Sequence, residues 1–334
     1  MMVAKWMEQC IVIKGTVRTA IYDLNRYDVY FADLNILDLI AKIEGLEKNK
    51  IYEALEPIEI EWYEYLTELE LINFVPISCF ENFAPISISW EIPNFIYEAS
   101  IHEYNDLEKS LFLLENLNCR HLTLIMENED SIESILANNF TNTNLFSLNL
   151  LIKEVTKSKT FYKKLKKKFP VLNDIISPSG KVSTPIIHHV GLTSFMESFE
   201  HNVHFNRKIH IDEMGRISNT PRSKKSDLNI NDLDGTEIKD QIINDLNITK
   251  YWTASKNETD ICKVCEIRHQ CIDKRTPEHR ESDNQWFHIT ECDYNPFIAK
   301  WKGEEGYLSL KEINVTSNIY GFKINSEKVE NHKE

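Results

Sequence analysis

Cys262, Cys265, Cys271 and Cys292 lie close together in the C-terminal third of this 334-residue chain, spaced Cx2Cx5C with a fourth sulfur 21 positions further on. Two cysteines separated by two residues can turn both sulfurs toward one point, and a later pair completes a four-ligand set. Thiolates suit zinc and iron–sulfur clusters alike, so the donor set predicts one metal centre, a 4Fe–4S cluster or, alternatively, Zn. Within the loop, Arg268 and His269 either donate to sulfur and tune the site's charge or stand as exposed polar residues. Cys10, Cys79 and Cys119 are scattered and read as small buried hydrophobes. His188, His189, His201 and His204 are the other grouped donors. Their spacing matches no usual ligand pattern, so strand and loop positions are the simpler account. There is no Walker loop and no G-x-S-x-G elbow, and 9 glycines leave little scope for phosphate cradles.

The elements that must hold these cysteines begin with three short strands, at 10–14, 19–24 and 28–32, followed by helical patterns over 34–43 and 58–72. Three small strands and then helices make a winged-helix-like module over 1–76. Beyond Pro76, strands are expected at 86–92, 95–101, 121–126 and 145–155, alternating with helices at 106–117, 130–138 and 158–169. Such alternation predicts crossover units and a mainly parallel sheet, α/β in class. Three or four units in 77–205 are too few for an eight-fold barrel, which leaves a partial barrel or an open sheet. The 158–169 helix and its approaches carry eight lysines, which read as a solvated face or as a dock for an acidic peptide. From Arg207 the chain turns loop-rich, with a strand at 208–212, a helix at 237–246, and a frayed polar tail from about 315.

Composition narrows the classes. Hydrophobic residues at 42% can fill real cores. Lys+Arg 38 against Asp+Glu 52 gives a net charge of −14, which argues against nucleic acid as the default partner. No run of 18 apolar residues occurs and the N-terminus lacks a signal-peptide pattern, so no membrane span and a cytoplasmic, reducing location are expected.

At the cysteines the chain resembles the SPASM domain that follows radical-SAM domains in peptide-modifying enzymes. That domain holds two auxiliary 4Fe–4S clusters, and the pattern of the second is matched by Cys262, Cys265, Cys271 and Cys292. The first cluster needs cysteines at positions held here by Thr220, five residues after Gly215, and by Arg275, so the resemblance implies that it is absent. Radical-SAM catalysis further needs Cx3Cx2C after the first barrel strand. The residues after 95–101 contain no cysteine, so no S-adenosylmethionine binding is expected and catalysis is left open. Further phrases, Val12–Thr19 with Asp23–Arg26, Asn206–Asp212 and Tyr294–Tyr307, resemble the SPASM-domain maturase of grasp-with-spasm peptide systems. In those systems an ATP-grasp ligase cyclises a ribosomally made precursor.

The resemblance implies a winged-helix-like leader-peptide module (1–76), a degenerate radical-SAM-like partial barrel (77–205), a SPASM domain (206–312) and a tail (313–334). The function it implies is an accessory that binds the precursor peptide and presents it to the ATP-grasp ligase. A redox-active SPASM oxidoreductase and a zinc-stabilised interaction protein are the alternatives.

Overall fold

The first alternating residues fold into an antiparallel meander of β2 (Cys10–Lys14), β3 (Thr19–Asp23) and β4 (Asp28–Ala32), preceded by β1 (Met2–Trp6). The computed structural model describes residues 1–103, 106–130, 132–140, 145–154, 156–176, 186–233 and 237–324. Period-two alternation sends Val12, Ile21 and Tyr30 to one face of the meander, and Ile13, Tyr22 and Phe31 to the other.

The first face packs under α1 (Ile36–Ile43), α2 (Lys48–Ala54) and α3 (Pro57–Glu68). In α1 the buried residues Ile36, Leu39, Ile40 and Ile43 follow helical spacing. Pro57 opens α3, and the Glu59 carboxylate accepts from the Glu56 amide at 2.9 Å. The helix expected over 58–72 ends at Glu68. Glu70 turns the chain at φ 56°, and β5 (Ile72–Pro76) then pairs with β1.

Contacts divide the chain into two units, 1–90 with 184–201 and 254–334, and 91–183 with 202–253. The segment expected as one domain over 206–312 is thus shared between them. The second unit opens with β6 (Glu98–His102), α4 (Leu107–Asn116), β7 (His121–Met126), α5 (Ile132–Asn139), β8 (Ser147–Ile152), α6 (Lys159–Lys168) and β9 (Leu172–Ile176). The first unit resumes with β10 (Ile186–Ile187) and α7 (Leu192–Glu200). The second is completed by β11 (Lys208–Ile211), β12 (Ile217–Ser218) and α8 (Ile238–Asn244).

The expected crossovers are present in an open six-stranded sheet ordered β12-β11-β6-β7-β8-β9, parallel except for β12. Strands laid successively in one direction with right-handed crossovers place their helices on a single face. That face buries Leu122, Leu124, Leu148 and Leu150 against α4, α5 and α6. The opposite face is polar: His210, Ser100, Thr123 and Asn149 lie in register across four strands.

Some expectations change. Residues 86–92 form no ladder with the described residues, while β1, β5, β9 and α2 are additional. The tail expected to fray forms a hairpin, Val315–Asn318 with Gly321–Ile324, and its Val315 and Phe322 pack with Phe297 and Ile313. Among the described residues no helix is long and apolar enough to cross a membrane.

Candidate metal centre

The loop that carries the cysteines has little regular structure of its own: two short 3-10 turns, Cys262–Val264 and Arg268–Gln270, and brief pairing of Cys271–Ile272 with β10. Its shape is imposed from outside. Just before the first cysteine, Ile261 adopts φ 68° and ψ −48°, and the Cys262 amide donates to the Asp260 carbonyl at 2.7 Å. This is a strained γ-turn, unusual for a β-branched residue and costing about 1–3 kcal/mol. Asp260 anchors it, accepting from Arg280 at 2.8 Å, Ser317 at 3.0 Å and Lys263 at 3.1 Å.

The middle of the loop is fastened to the meander. Tyr22 donates its hydroxyl to the Glu266 carbonyl at 2.8 Å, and Thr16 donates to the Val264 carbonyl at 3.3 Å. The Glu266 side chain is fully buried, and one of its oxygens accepts from Arg18 at 2.8 Å and from the Tyr294 hydroxyl. Gly15 makes room for it: a Cβ there would lie 2.8 Å from the Glu266 Cβ and 2.7 Å from the Arg18 carbonyl oxygen.

Arg268 and His269 both fasten the loop, and Arg268 also lines the cavity beside the Cys262 and Cys265 sulfurs. Arg268 donates to the Cys265 carbonyl at 2.9 Å, the Asn257 side chain at 2.8 Å and the Lys14 carbonyl at 3.3 Å. His269 is buried, stacks on Phe199 at 4.2 Å and meets Ser198 at 2.8 Å.

All four cysteines line one cavity of about 360 Å³. Burial raises the Cys265 thiol well above its ordinary pKa, and the Glu266, Cys271 and Cys262 charges add to that. The Cys271 thiol is likewise raised by burial, and Cys292 is pushed up to about 11. The sulfurs therefore sit close enough to repel one another as thiolates, and a soft cation is what would draw the protons off. The Tyr294 amide already donates to the Cys292 sulfur at 3.4 Å.

Spacing bears on the type of metal. Tetrahedral zinc with bonds near 2.3 Å brings its sulfurs to about 3.8 Å apart. Among the described residues the one set of three ligand atoms within 4.8 Å of one another is Cys262, Asp273 and His288, with no cysteine trio. The cavity extends beyond the cysteines to the C-terminal hairpin, where Val315, Ser317 and Asn318 line it. Asp273 has little left to offer a metal: it accepts from Lys256 at 3.0 Å and from Arg275 at 2.6 Å, and His288 lies 3.3 Å away.

Lys256, Asp273 and His288 were not singled out by sequence reasoning. No spacing ties Lys256 or His288 to the cysteines, although Asp273, two residues past Cys271, carried a weak signal of proximity.

The other cysteines behave as small hydrophobes where they are enclosed. Cys10 and Cys119 are buried, with thiols raised by burial to about 12, while Cys79 is partly exposed. The grouped histidines make no ligand set among the described residues: His188 meets the Gln270 carbonyl at 2.7 Å and His189 the Tyr27 carbonyl at 3.2 Å. The lysines of α6 are mostly exposed, around a buried Leu165. Comparison with models of protein families, with curated proteins and with solved structures finds no match to this chain.

Proposed function

We propose that this protein is an accessory in the maturation of a ribosomally made peptide. It binds the precursor and presents it to an ATP-grasp ligase, and its four cysteines hold a 4Fe–4S cluster that fixes the fold. What carries this reading is the convergence of Cys262, Cys265, Cys271 and Cys292 on one cavity, in a loop fastened to an N-terminal antiparallel sheet.

In this reading residues 1–76 are the winged-helix-like leader module. Its β4 is an outer strand of the meander, and a precursor segment adds alongside it through backbone hydrogen bonds. The second unit is the remnant of a radical-SAM-like barrel, and the cysteine segment is its SPASM portion. Bound iron and sulfide would supply folding free energy in a reducing compartment.

The test is anaerobic purification with iron, sulfide and zinc analysis, followed by co-purification with the ligase and precursor encoded nearby. Four irons and four sulfides per chain, with capture of both partners, is the expected result. Stoichiometric zinc without sulfide would replace the cluster. Reductive consumption of S-adenosylmethionine would overturn the accessory role.

A further inference from the structure

The wall of the cysteine cavity carries an unusual arrangement of charge. Lys256 is 5% exposed and its ammonium meets Asp273 at 3.0 Å. The Arg275 guanidinium, mostly buried, grips the same carboxylate through Nε at 3.0 Å and 3.1 Å and through a terminal nitrogen at 2.6 Å. Two cations thus share one carboxylate, and the buried trio is left with a net charge of +1. His288 lies 3.3 Å from the same carboxylate. The other buried carboxylates near the cavity have their own cations, Asp260 with Arg280 and Glu266 with Arg18.

A buried net positive charge needs an anion. The neighbours at hand are sulfurs. Although burial pushes the Lys256 ammonium down, Asp273 and the Cys262 and Cys271 sulfurs outweigh it and keep it charged. Arg275 is held charged in the same way by Asp273, Cys262 and Cys292.

We infer that Lys256 and Arg275, gripped by Asp273, are positioning residues that supply the counter-charge of the four-thiolate centre and so set how readily it accepts an electron. The inference rests on the metal-centre reading above and adds what tunes that centre. Net charge around a cluster is one of the quantities that fix its potential.

The trio makes the idea testable by charge arithmetic. Lys256→Met lowers its charge from +1 to 0. The double change Lys256→Met with Asp273→Asn returns it to +1, and Lys256→Arg never alters it. Each protein is reconstituted anaerobically and poised with dithionite, whose electron enters the cluster; the reduced fraction is read by electron paramagnetic resonance. At a fixed poise the ratio of reduced to oxidised cluster should fall about tenfold in Lys256→Met, equivalent to 59 mV for one electron. It should return to within about twofold of the parent in the double variant and in Lys256→Arg.

Equal midpoints in all four proteins at full iron and sulfide would overturn the inference, as would a double variant that stays as low as the single one. If Lys256→Met fails to load while the other two variants load, charge is again the determinant; failure of Lys256→Arg as well would refute it. Should the parent carry zinc, the cluster reading fails separately. The same variants are then compared by zinc release to 4-(2-pyridylazo)resorcinol, with a tenfold faster loss expected in Lys256→Met alone and equal rates refuting the counter-charge.

Discussion

Replacing Arg18 with Met tests whether the cysteine loop is held by the N-terminal sheet. Glu266 follows Cys265 directly and is 0% exposed, and its carboxylate has two donors, Arg18 at 2.8 Å and the Tyr294 hydroxyl, on one oxygen. Its other oxygen has no hydrogen-bond partner among the described residues. Breaking a buried ion pair from one side costs about 3–5 kcal/mol. Here the Arg18 side chain is 32% exposed, so water can replace part of what is lost, and Tyr294 remains. Methionine also gives up the guanidinium's stacking 3.6 Å over Phe31, worth about 0.5–1 kcal/mol. The net expectation is about 2 kcal/mol, or a melting temperature lower by about 4–8 °C for a unit of 150–250 residues. The assay is thermal unfolding of the metal-loaded protein followed by near-UV circular dichroism, repeated in a Glu266→Gln background. With the buried charge gone, Arg18→Met should cost less than half as much, and the difference is the coupling energy of the pair. A loss below about 0.5 kcal/mol in the parent, or an equal loss in both backgrounds, would refute the claim that this pair fastens the loop.

Three further outcomes follow from the same geometry. Serine at Cys262, Cys265, Cys271 or Cys292 should each remove most of the bound metal, whereas serine at Cys79 should leave metal content unchanged, as read by elemental analysis after anaerobic purification. Gly15→Ala brings a methyl group against the Arg18 carbonyl oxygen at 2.7 Å, where backbone cannot yield, so chemical denaturation should show a loss of about 1–3 kcal/mol. The third concerns acid. Burial holds His210 down to about 4, with Lys225 and His102 adding to it and Asp212 opposing, while its Nδ1 faces the Ser100 hydroxyl at 2.9 Å. Between pH 6.5 and about 4 the unfolded chain takes up a proton that the folded one refuses. Stability of the second unit is therefore full above 6.5 and declines on acidification, by at most ~3 kcal/mol for this group. His210→Asn should flatten that part of the profile in urea titrations at stepped pH, and an unchanged slope would contradict it.

The parts of the fold legible in the sequence are those whose pattern is local. β2, β3 and β4 are short runs rich in β-branched and aromatic residues bounded by polar turns, and α1 shows helical spacing of Ile36, Leu39, Ile40 and Ile43, so each declares itself within a few residues. The α4, β7 and α5 crossover is equally clear, since Asp106 caps α4 at 3.0 Å and a buried strand follows. What stays hidden depends on partners distant in sequence. β1 is a strand because Met2–Trp6 meets Ile72–Pro76, 70 or so positions away. Residues 86–92 alternate apolar and polar side chains yet pair with no strand among the described residues, so local pattern alone does not make a ladder. At the candidate centre the four cysteines were visible as a spacing, yet their surroundings were not. Arg268 and His269 read in sequence either as partners of the sulfurs or as exposed loop residues, and only the meander and α7 reveal them as fasteners, His269 buried and Arg268 partly so.

The link between that loop and the meander has a thermodynamic consequence. A segment with two 3-10 turns and a strained γ-turn cannot hold four sulfurs in place by itself, so part of the free energy of metal binding is used to order it. Tyr22 on β3, with Thr16 and Arg18 in the turn between β2 and β3, does part of that ordering in advance. If the cysteines hold a metal as proposed, whatever stabilises the sheet would raise their apparent affinity for it, and metal at Cys265 would stabilise the sheet by the same amount. A peptide added alongside β4 would act through this linkage without approaching any sulfur. The coupling can be no larger than the fraction of molecules in which the loop is unformed before the metal arrives. It should weaken in Arg18→Met, which removes one of the ties from the sheet to the loop.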